Sequence, residues 1–207
     1  MRDKEATRLK LLQVGKEEFL SKGFKNAYLR DIAEKAGVST GAIYGHYPDK
    51  EALFCALVEP VADEFLKLRE KGHTAYLSMS QDDLEHSDRD SFGPVSQMLD
   101  YIYDHFDSFK LLICHAAETK YRDYIATLIE KETIAAKGFL DKMRAAGMMK
   151  NGIDEEFISI MTHAYYSNVF EIVRRDMTRE HANDYVKALS SFYAGGWGTL
   201  ANGIPEN

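Results

Sequence analysis

The sequence predicts an all-α protein of about nine helices, because its apolar residues follow a helical period and prolines are few. Apolar residues recur at three- and four-residue spacing through nearly all of the 207 residues. Only four prolines interrupt this pattern, at positions 48, 60, 94 and 205, and proline is the residue that a helix interior tolerates least. We therefore expect helices joined by turns and loops.

Composition and charge narrow the class of protein. Apolar residues make up 45% of the chain, and no apolar run reaches the roughly 18 residues that span a membrane. The formal net charge is −7, yet residues 1–50 hold ten Lys and Arg against seven Asp and Glu. This basic excess predicts that only the N-terminal part meets a polyanion. Cys55 and Cys114 form no disulfide framework and the N-terminus lacks a signal peptide's apolar block, so a cytoplasmic protein is expected.

Glycines and capping residues set the expected helix boundaries. Gly15 indicates a close helix contact, Gly23 and Gly37 indicate left-handed turns, and Ser39 and Asp49 are suited to cap the helices that follow them. The polar, acidic stretch before residue 93 is expected to be a loop. The predicted helices lie at about 3–21, 28–36, 39–45, 49 to at most 79, 94–107, 109–116, 119–146, 154–176 and 181–201.

The second and third helices, joined by a glycine turn, form a helix-turn-helix. The third is only about two turns long and is unstable alone. It must therefore rest on the apolar side chains of Ile32, Val38, Ile43 and Tyr47. Its outer face is left free, and entering the DNA major groove is the established use of this geometry.

A stretch of about 45 residues resembles, without a gap, the helix-turn-helix domain of the TetR family of bacterial transcriptional regulators. The family pattern is a helix ending in Phe, a Gly-aromatic pair, Ile-Ala, Ala-Gly-Val-Ser, a small residue, a Tyr, a His-aromatic pair and Lys-Glu-x-Leu. The matching residues are Phe19, Gly23-Phe24, Ile32-Ala33, Ala36-Gly37-Val38-Ser39, Gly41, Tyr44, His46-Tyr47 and Lys50-Glu51-Ala52-Leu53.

The resemblance implies a helix-turn-helix DNA-binding domain at 1–48 and a helical effector-binding and dimerisation domain at 49–207. In such regulators a homodimer reads a palindromic double-stranded operator, most often as a repressor, and a small-molecule effector releases it. No catalytic residue, metal or cofactor is expected.

Eight residues are expected at the DNA. The tyrosines, the histidine and the lysine among them are assigned to phosphates, whereas Thr40 and the backbone near Gly41 face bases. Arg30 is left open between DNA contact and a solvated helix face. Where the family usually has Thr or Ser before the second helix this chain has Ala27, so Asn26 is expected to cap that helix. The eight residues are Tyr28, Arg30, Ser39, Thr40, Gly41, Tyr44, His46 and Lys50.

The last two helices are assigned to a dimer interface. Each carries an apolar stripe, and three glycines around Trp197 allow a close approach. The competing interpretation is that the stripe completes the core of one copy. The interface residues are Phe157, Met161, Tyr165, Asn168, Tyr185, Leu189, Phe192 and Trp197.

The effector pocket is assigned to the middle helices, which are rich in aromatic, sulfur-containing and imidazole side chains. Such residues at helical spacing are also ordinary core, which stays the competing interpretation. His105 and His163 are the preferred polar contacts if they are buried. The candidates are Tyr101, His105, Phe106, Phe109, Cys114, His115, Met143, His163, Tyr166 and Phe170.

Two other functions compete with this one. His115 and Glu118 have the i,i+3 spacing of helical metal ligands, but no second pair or catalytic motif accompanies them, so an enzyme is not expected. A helical protein-interaction module whose helix-turn-helix no longer reads DNA is the stronger alternative. A DNA reader loses affinity steeply as salt rises, whereas such a module does not bind DNA.

Overall fold

The structure, a computed structural model, describes residues 2–80, 93–149 and 153–202, and over these ranges it contains helices and turns but no strand. The all-α prediction is therefore confirmed. A π-helical turn at Leu111–His115 follows α6. The α-helices are α1 (Arg2–Asn26), α2 (Leu29–Lys35), α3 (Thr40–His46), α4 (Lys50–Ser78), α5 (Gly93–Asp104), α6 (Phe106–Lys110), α7 (Tyr124–Ala145), α8 (Glu155–Val169), α9 (Glu171–Arg174) and α10 (Arg179–Asn202).

The turns predicted at Gly23 and Gly37 and the caps predicted at Ser39 and Asp49 are confirmed. Gly23 has φ 74° and bends the chain near the end of α1, and Gly37 has φ 63° between α2 and α3. The Ser39 hydroxyl accepts a hydrogen bond from the Ala42 N–H at 3.1 Å. The Asp49 carboxylate, which precedes α4, accepts a hydrogen bond from the Ala52 N–H at 2.7 Å. Local chemistry therefore sets these boundaries.

Two later boundaries differ from the prediction. The helix expected at 119 begins at Tyr124, because the Thr119 hydroxyl bonds the Ala116 carbonyl at 2.8 Å and holds the chain in turns. The helix expected at 154–176 is interrupted at Phe170, which is fully buried and separates α8 from α9. Most of the loop expected before residue 93 lies outside the described residues.

The chain packs as two compact units, each assembled from two stretches. The first comprises residues 1–64 and 105–124, and the second comprises 65–104 and 125–207. Helix α4 contributes its first part to one unit and its second part to the other. The predicted functional boundary after residue 48 stays a prediction.

The core of the first unit is aromatic. Phe19 and Phe54 meet edge to face at 5.3 Å between ring centroids, and Phe24 lies 5.4 Å from Phe54. A Cβ added to Gly15 would lie 2.9 Å from Leu53 Cδ2, so the close helix contact predicted at this glycine is confirmed. Helices α2 and α3 add buried apolar side chains to this core, which positions the helix-turn-helix.

The segment 105–124, here called the strap, belongs to the first unit. Its Phe109 side chain is fully buried, and its polar groups bond α1 and α4. These bonds are Lys16 Nζ to Asp107 Oδ2 (2.8 Å), Ser108 Oγ to Leu57 O (3.1 Å), Lys120 N to Glu51 Oε1 (2.7 Å) and Tyr124 OH to Ala62 O (3.0 Å).

In the second unit, α8 and α10 run antiparallel along an aromatic seam. Phe157 meets Trp197 at one end with ring centroids 5.9 Å apart, and Tyr165 lies 5.0 Å from Tyr193 further along. At the other end the Tyr185 hydroxyl donates to a carbonyl of α8. This pairing fixes which faces of the two helices remain open.

Candidate functional site

The outer face of α3 is open, while its inner face is buried. Ile43 is completely buried beneath it, and Tyr44 on the outer side is 53% exposed. Thr40 and Gly41 are also exposed. A Cβ placed on Gly45 would find no described protein atom within 4 Å. The unit therefore supports a short helix from beneath and leaves its other side for a partner.

The eight residues predicted to contact DNA differ in their exposure to solvent. Six are exposed, whereas His46 and Lys50 are half-buried. Ser39 is committed to capping α3 through its hydroxyl. Arg30 is an exposed residue of α2, so either of its predicted roles remains a prediction.

The predicted cap of α2 is wrong. Asn26 lies in the last turn of α1, and its Nδ2 donates to the Lys22 carbonyl at 3.2 Å, the usual i−4 position of a helix. The residue that precedes α2 is Tyr28, which has an extended backbone and makes no side-chain cap. Tyr28 is 61% exposed, and its assignment to phosphate stays a prediction.

Lys50 has a structural role that the sequence did not reveal. Its Nζ donates to the carbonyls of Phe24 (2.6 Å) and Lys25 (3.2 Å) near the end of α1. It also lies 4.4 Å from the centroid of the Phe24 ring. Burial lowers the pKa of this ammonium. The ammonium thus satisfies carbonyls that the helix end leaves unpaired, whatever it also contacts.

We expect Lys50→Met to lower the free energy of unfolding by about 1–3 kcal/mol, because it leaves two carbonyls near the end of α1 without their donor. Urea denaturation followed by circular dichroism measures this loss. The matched control is Lys67→Met, at an exposed position of α4, which is expected to change little. Equal midpoints for the two variants would contradict the role.

A buried ionic cluster in the second unit centres on Glu132, which is 4% exposed. Arg69 donates to both carboxylate oxygens, at 2.8 and 3.0 Å. His73 Nε2 lies 2.9 Å from Oε2, and the Tyr166 hydroxyl donates to the same oxygen. Helices α4, α7 and α8 each supply part of this cluster.

The electrostatics of the cluster favour the ionised carboxylate. Burial by itself would raise the pKa of Glu132, but hydrogen bonds from His73 and Arg69, together with the Arg69 charge, lower it to about 2. Burial raises the pKa of the Tyr166 hydroxyl well above its ordinary value. The ionised Glu132 carboxylate on α7 therefore accepts hydrogen bonds from residues of both α4 and α8.

The ten effector candidates are divided between the two units. Five of them lie on the strap of the first unit: His105, Phe106, Phe109, Cys114 and His115. The other five lie in the second unit: Tyr101, Met143, His163, Tyr166 and Phe170.

The two histidines preferred as polar contacts if buried are both exposed, so that condition is not met and their role stays a prediction. His105 lies at the junction of α5 and α6, and His163 is on the outer side of α8 with Nδ1 3.4 Å from the Ser167 hydroxyl. His115 is half-buried instead, and burial lowers its pKa. Its Nδ1 lies 3.4 Å from where a Cβ on Gly23 would be.

Sequence reasoning identified Tyr166 but missed Arg69, Glu132 and His73. A usable signal was present. Arg69 follows Phe65 by one helical repeat on α4, and Glu132 follows Leu128 in the same way on α7, so both charged residues fall on apolar stripes.

An open groove on α4 contains none of the ten candidates; it is lined by Lys67, Glu70, Lys71, Thr74, Ala75 and Ser78.

The predicted interface stripe on α8 and α10 is partly open. Phe192 is 74% exposed, and the neighbouring Ile160, which the prediction missed, is 59% exposed. Cβ atoms placed on the three glycines around Trp197 would meet no described atom within 4 Å. The other stripe residues are half-buried or exposed. A stripe that completed the core of one copy would be buried, so this openness favours a partner.

Among the residues that the structure describes, no three His, Cys, Asp or Glu side chains gather where they could hold an ion. No described helix combines the length and apolarity required to cross a membrane.

Comparison with known proteins gives a consistent result. Residues 11–57 match the sequence profile of "Bacterial regulatory proteins, tetR family". The chain is 33% identical over 81 residues to the probable HTH-type transcriptional regulator ArpR of Pseudomonas putida, which covers 39% of this chain and 36% of that protein. It is 25% identical over 130 residues to the HTH-type transcriptional repressor KstR2 of Rhodococcus jostii, covering 62% and 55%.

The fold has relatives among solved structures as well. A transcriptional regulator of the TerR/AcrR family from Aquifex aeolicus aligns with a TM-score of 0.60 at 17% identity, over 90% of this chain and 99% of that chain. The matches to curated relatives span only about a third to half of those proteins. The family profile covers the helix-turn-helix, and the solved structure, at 17% identity, shows a likeness of fold over most of the chain.

Proposed function

Because the chain belongs to the TetR family of bacterial regulatory proteins, we propose that it is a cytoplasmic, ligand-responsive transcriptional repressor. A homodimer binds a palindromic operator, and a small-molecule effector releases it. The alternative is a helical protein-interaction module whose helix-turn-helix no longer reads DNA.

The observation that carries this proposal is the open face of α3. The helix is held from beneath by Ile43, while Thr40, Gly41 and Tyr44 face outward. A seven-residue helix has no stability of its own, so the first unit stabilises a surface that the fold itself does not use. Thr40 and the backbone at Gly41 have the short reach that base edges require. Tyr44 is long enough to reach phosphate.

Dimerisation is supported by the exposed apolar face of α8 and α10. Two large side chains, Ile160 and Phe192, are left in water in a single copy. A second copy would cover them, and the glycines at 195, 196 and 198 offer no side chain to obstruct its approach. A two-fold dimer also matches the two half-sites of a palindrome.

Effector release follows from linkage and needs no further assumption about geometry. An effector that favours a protein state with lower operator affinity must itself be bound more weakly by the operator complex, by the same factor. The second unit is the expected location, where Tyr101, Met143, Tyr166 and Phe170 lie. Titration of effector against free and against operator-bound protein measures this factor. Titration of operator with and without effector measures it a second time.

We expect Tyr44→Ala and Thr40→Ala to affect DNA binding in different ways. Tyr44→Ala should weaken binding to every sequence alike, by roughly 1–2 kcal/mol, because a phosphate contact carries no sequence information. Thr40→Ala should instead relax preference at one operator position. Competition binding against single-base operator variants separates the two. A loss confined to one base in Tyr44→Ala would make Tyr44 a base reader.

The test of the function is selection of bound sequences from a random DNA pool, followed by affinity against salt. Enrichment of a palindrome, with a log–log slope of several units, is expected for a dimeric operator reader. No enrichment at low salt would reject the proposal and favour the protein-interaction module.

A further inference from the structure

An ion pair at the start of α1 lies beside the end of α3. The Arg8 guanidinium donates to both oxygens of the Glu5 carboxylate, at 2.8 to 3.1 Å. The same guanidinium lies beside Tyr47, a buried residue that directly follows α3, without a hydrogen bond to its hydroxyl. Two residues further along α1, Lys10 Nζ lies 3.5 Å from where a Cβ on Gly37, in the turn before α3, would be. This part of α1 therefore borders the helix-turn-helix, and the pair lies near the end of α3, where His46 is the predicted phosphate contact.

The position of this pair creates a conflict for DNA binding. A phosphate that approaches His46 also approaches the Glu5 carboxylate, which repels it, and the Arg8 guanidinium, which attracts it. Glu5 and Arg8 are both largely exposed to solvent. An exposed pair of this kind adds little to the stability of the protein, so the guanidinium can exchange one anionic partner for another at small cost.

A planar guanidinium suits this exchange particularly well. It binds a carboxylate and a phosphate with the same two-pronged geometry, so Arg8 does not have to change its mode of contact. When Arg8 turns to a phosphate, Glu5 is left as an unpaired negative charge near the DNA backbone. That residual repulsion opposes the binding of any DNA, whatever its sequence.

We propose that Arg8 contacts a DNA phosphate and that Glu5 holds its guanidinium in the free protein, which limits the affinity for DNA of every sequence. This inference rests on the proposed function, since it requires that the protein bind DNA. It assigns Arg8 as a further DNA-contacting residue and Glu5 as a residue that opposes this contact. Because the repulsion acts on all DNA alike, it lowers operator and non-specific affinity together and leaves the ratio between them unchanged.

The experiment measures the affinity of the full chain for its selected operator and for unrelated duplex DNA, across a range of salt. Glu5→Gln should raise both affinities about threefold to tenfold at low salt. Arg8→Met should lower both and reduce the log–log salt slope by about one unit. In the Arg8→Met background, the gain from Glu5→Gln should shrink, because there is no guanidinium left to release.

The matched control is Glu70→Gln, which removes one negative charge from an exposed position of α4 in the second unit. Equal effects of Glu5→Gln and Glu70→Gln would overturn the inference, because the gain would then come from net charge alone. An unchanged salt slope in Arg8→Met would overturn the assigned contact while leaving the proposed function intact. A wild-type protein that binds neither DNA would overturn both.

Discussion

Replacement of Glu132 by alanine is expected to lower the free energy of unfolding by about 3–5 kcal/mol. The change leaves Arg69 charged in a largely buried position and removes the acceptor of the His73 and Tyr166 bonds. A buried charge without its partner is costly because neither water nor the protein solvates it. Urea denaturation read by the fluorescence of Trp197, the one tryptophan of the chain, reports on the second unit.

Two further variants make this result specific. Glu155→Ala, which removes a carboxylate that is 80% exposed and paired with Lys137, should cost less than about 1 kcal/mol. The double change Arg69→Met with Glu132→Leu should recover much of the loss, since it removes both charges together. A denaturation midpoint of Glu132→Ala equal to that of the wild type would contradict the importance of the cluster.

Acid provides a second measurement of the same carboxylate. Its pKa is about 2 in the folded protein, below its ordinary value of 4.5, so the folded state favours the ionised form. The stabilisation is present above pH 4.5 and is lost as the pH falls towards 2, by about 3 kcal/mol in all. Glu132→Ala lacks this contribution. The gap between wild type and variant should therefore narrow over that pH range.

Phe192→Glu is expected to convert the proposed dimer to a monomer. The side chain is exposed on α10 in a single copy, and a carboxylate facing its symmetry mate would meet both an apolar surface and a like charge. Analytical ultracentrifugation measures the change in mass. Operator affinity should fall by about 100-fold or more, because the two half-sites would no longer be bound by one linked molecule.

The control for this variant is Lys187→Glu, at an exposed polar position of the same helix. It introduces the same carboxylate away from the apolar face, so the mass should not change. Phe192→Glu sedimenting with the wild-type dimer would reject the interface. A wild-type protein that is itself monomeric at micromolar concentration would do the same.

The elements predicted best from sequence were those set by local chemistry. Gly23, Gly37, Ser39 and Asp49 act within one turn of their own position, so their consequences can be read from neighbouring residues alone. The cap of α2 failed for a related reason. Asn26 had a closer competitor in the Lys22 carbonyl of its own helix.

The features that escaped prediction depend on contacts between residues far apart in the chain. Glu132 is 63 residues from Arg69, and no pattern in the neighbouring sequence of either residue predicts their contact. Asp107 reaches Lys16 across a still longer separation, which places the strap with the first unit. The strap residues proposed for an effector pocket were chosen by side-chain type, and type does not reveal which unit a helix joins.

The division of the first unit into two stretches has a consequence for synthesis on the ribosome. The helix-turn-helix has been made once α4 begins, but the strap that fills part of its core follows 40 residues after residue 64. At about 5–20 residues per second, residue 124 is added roughly 3–12 s after residue 64. Until residues 108 and 109 are added, roughly 2–9 s after residue 64 at that rate, the nascent chain lacks the buried side chain of Phe109 and the Ser108 donor for the Leu57 carbonyl. The first unit, which carries the helix-turn-helix, is thus completed only after residues 65–104 of the second unit have been translated.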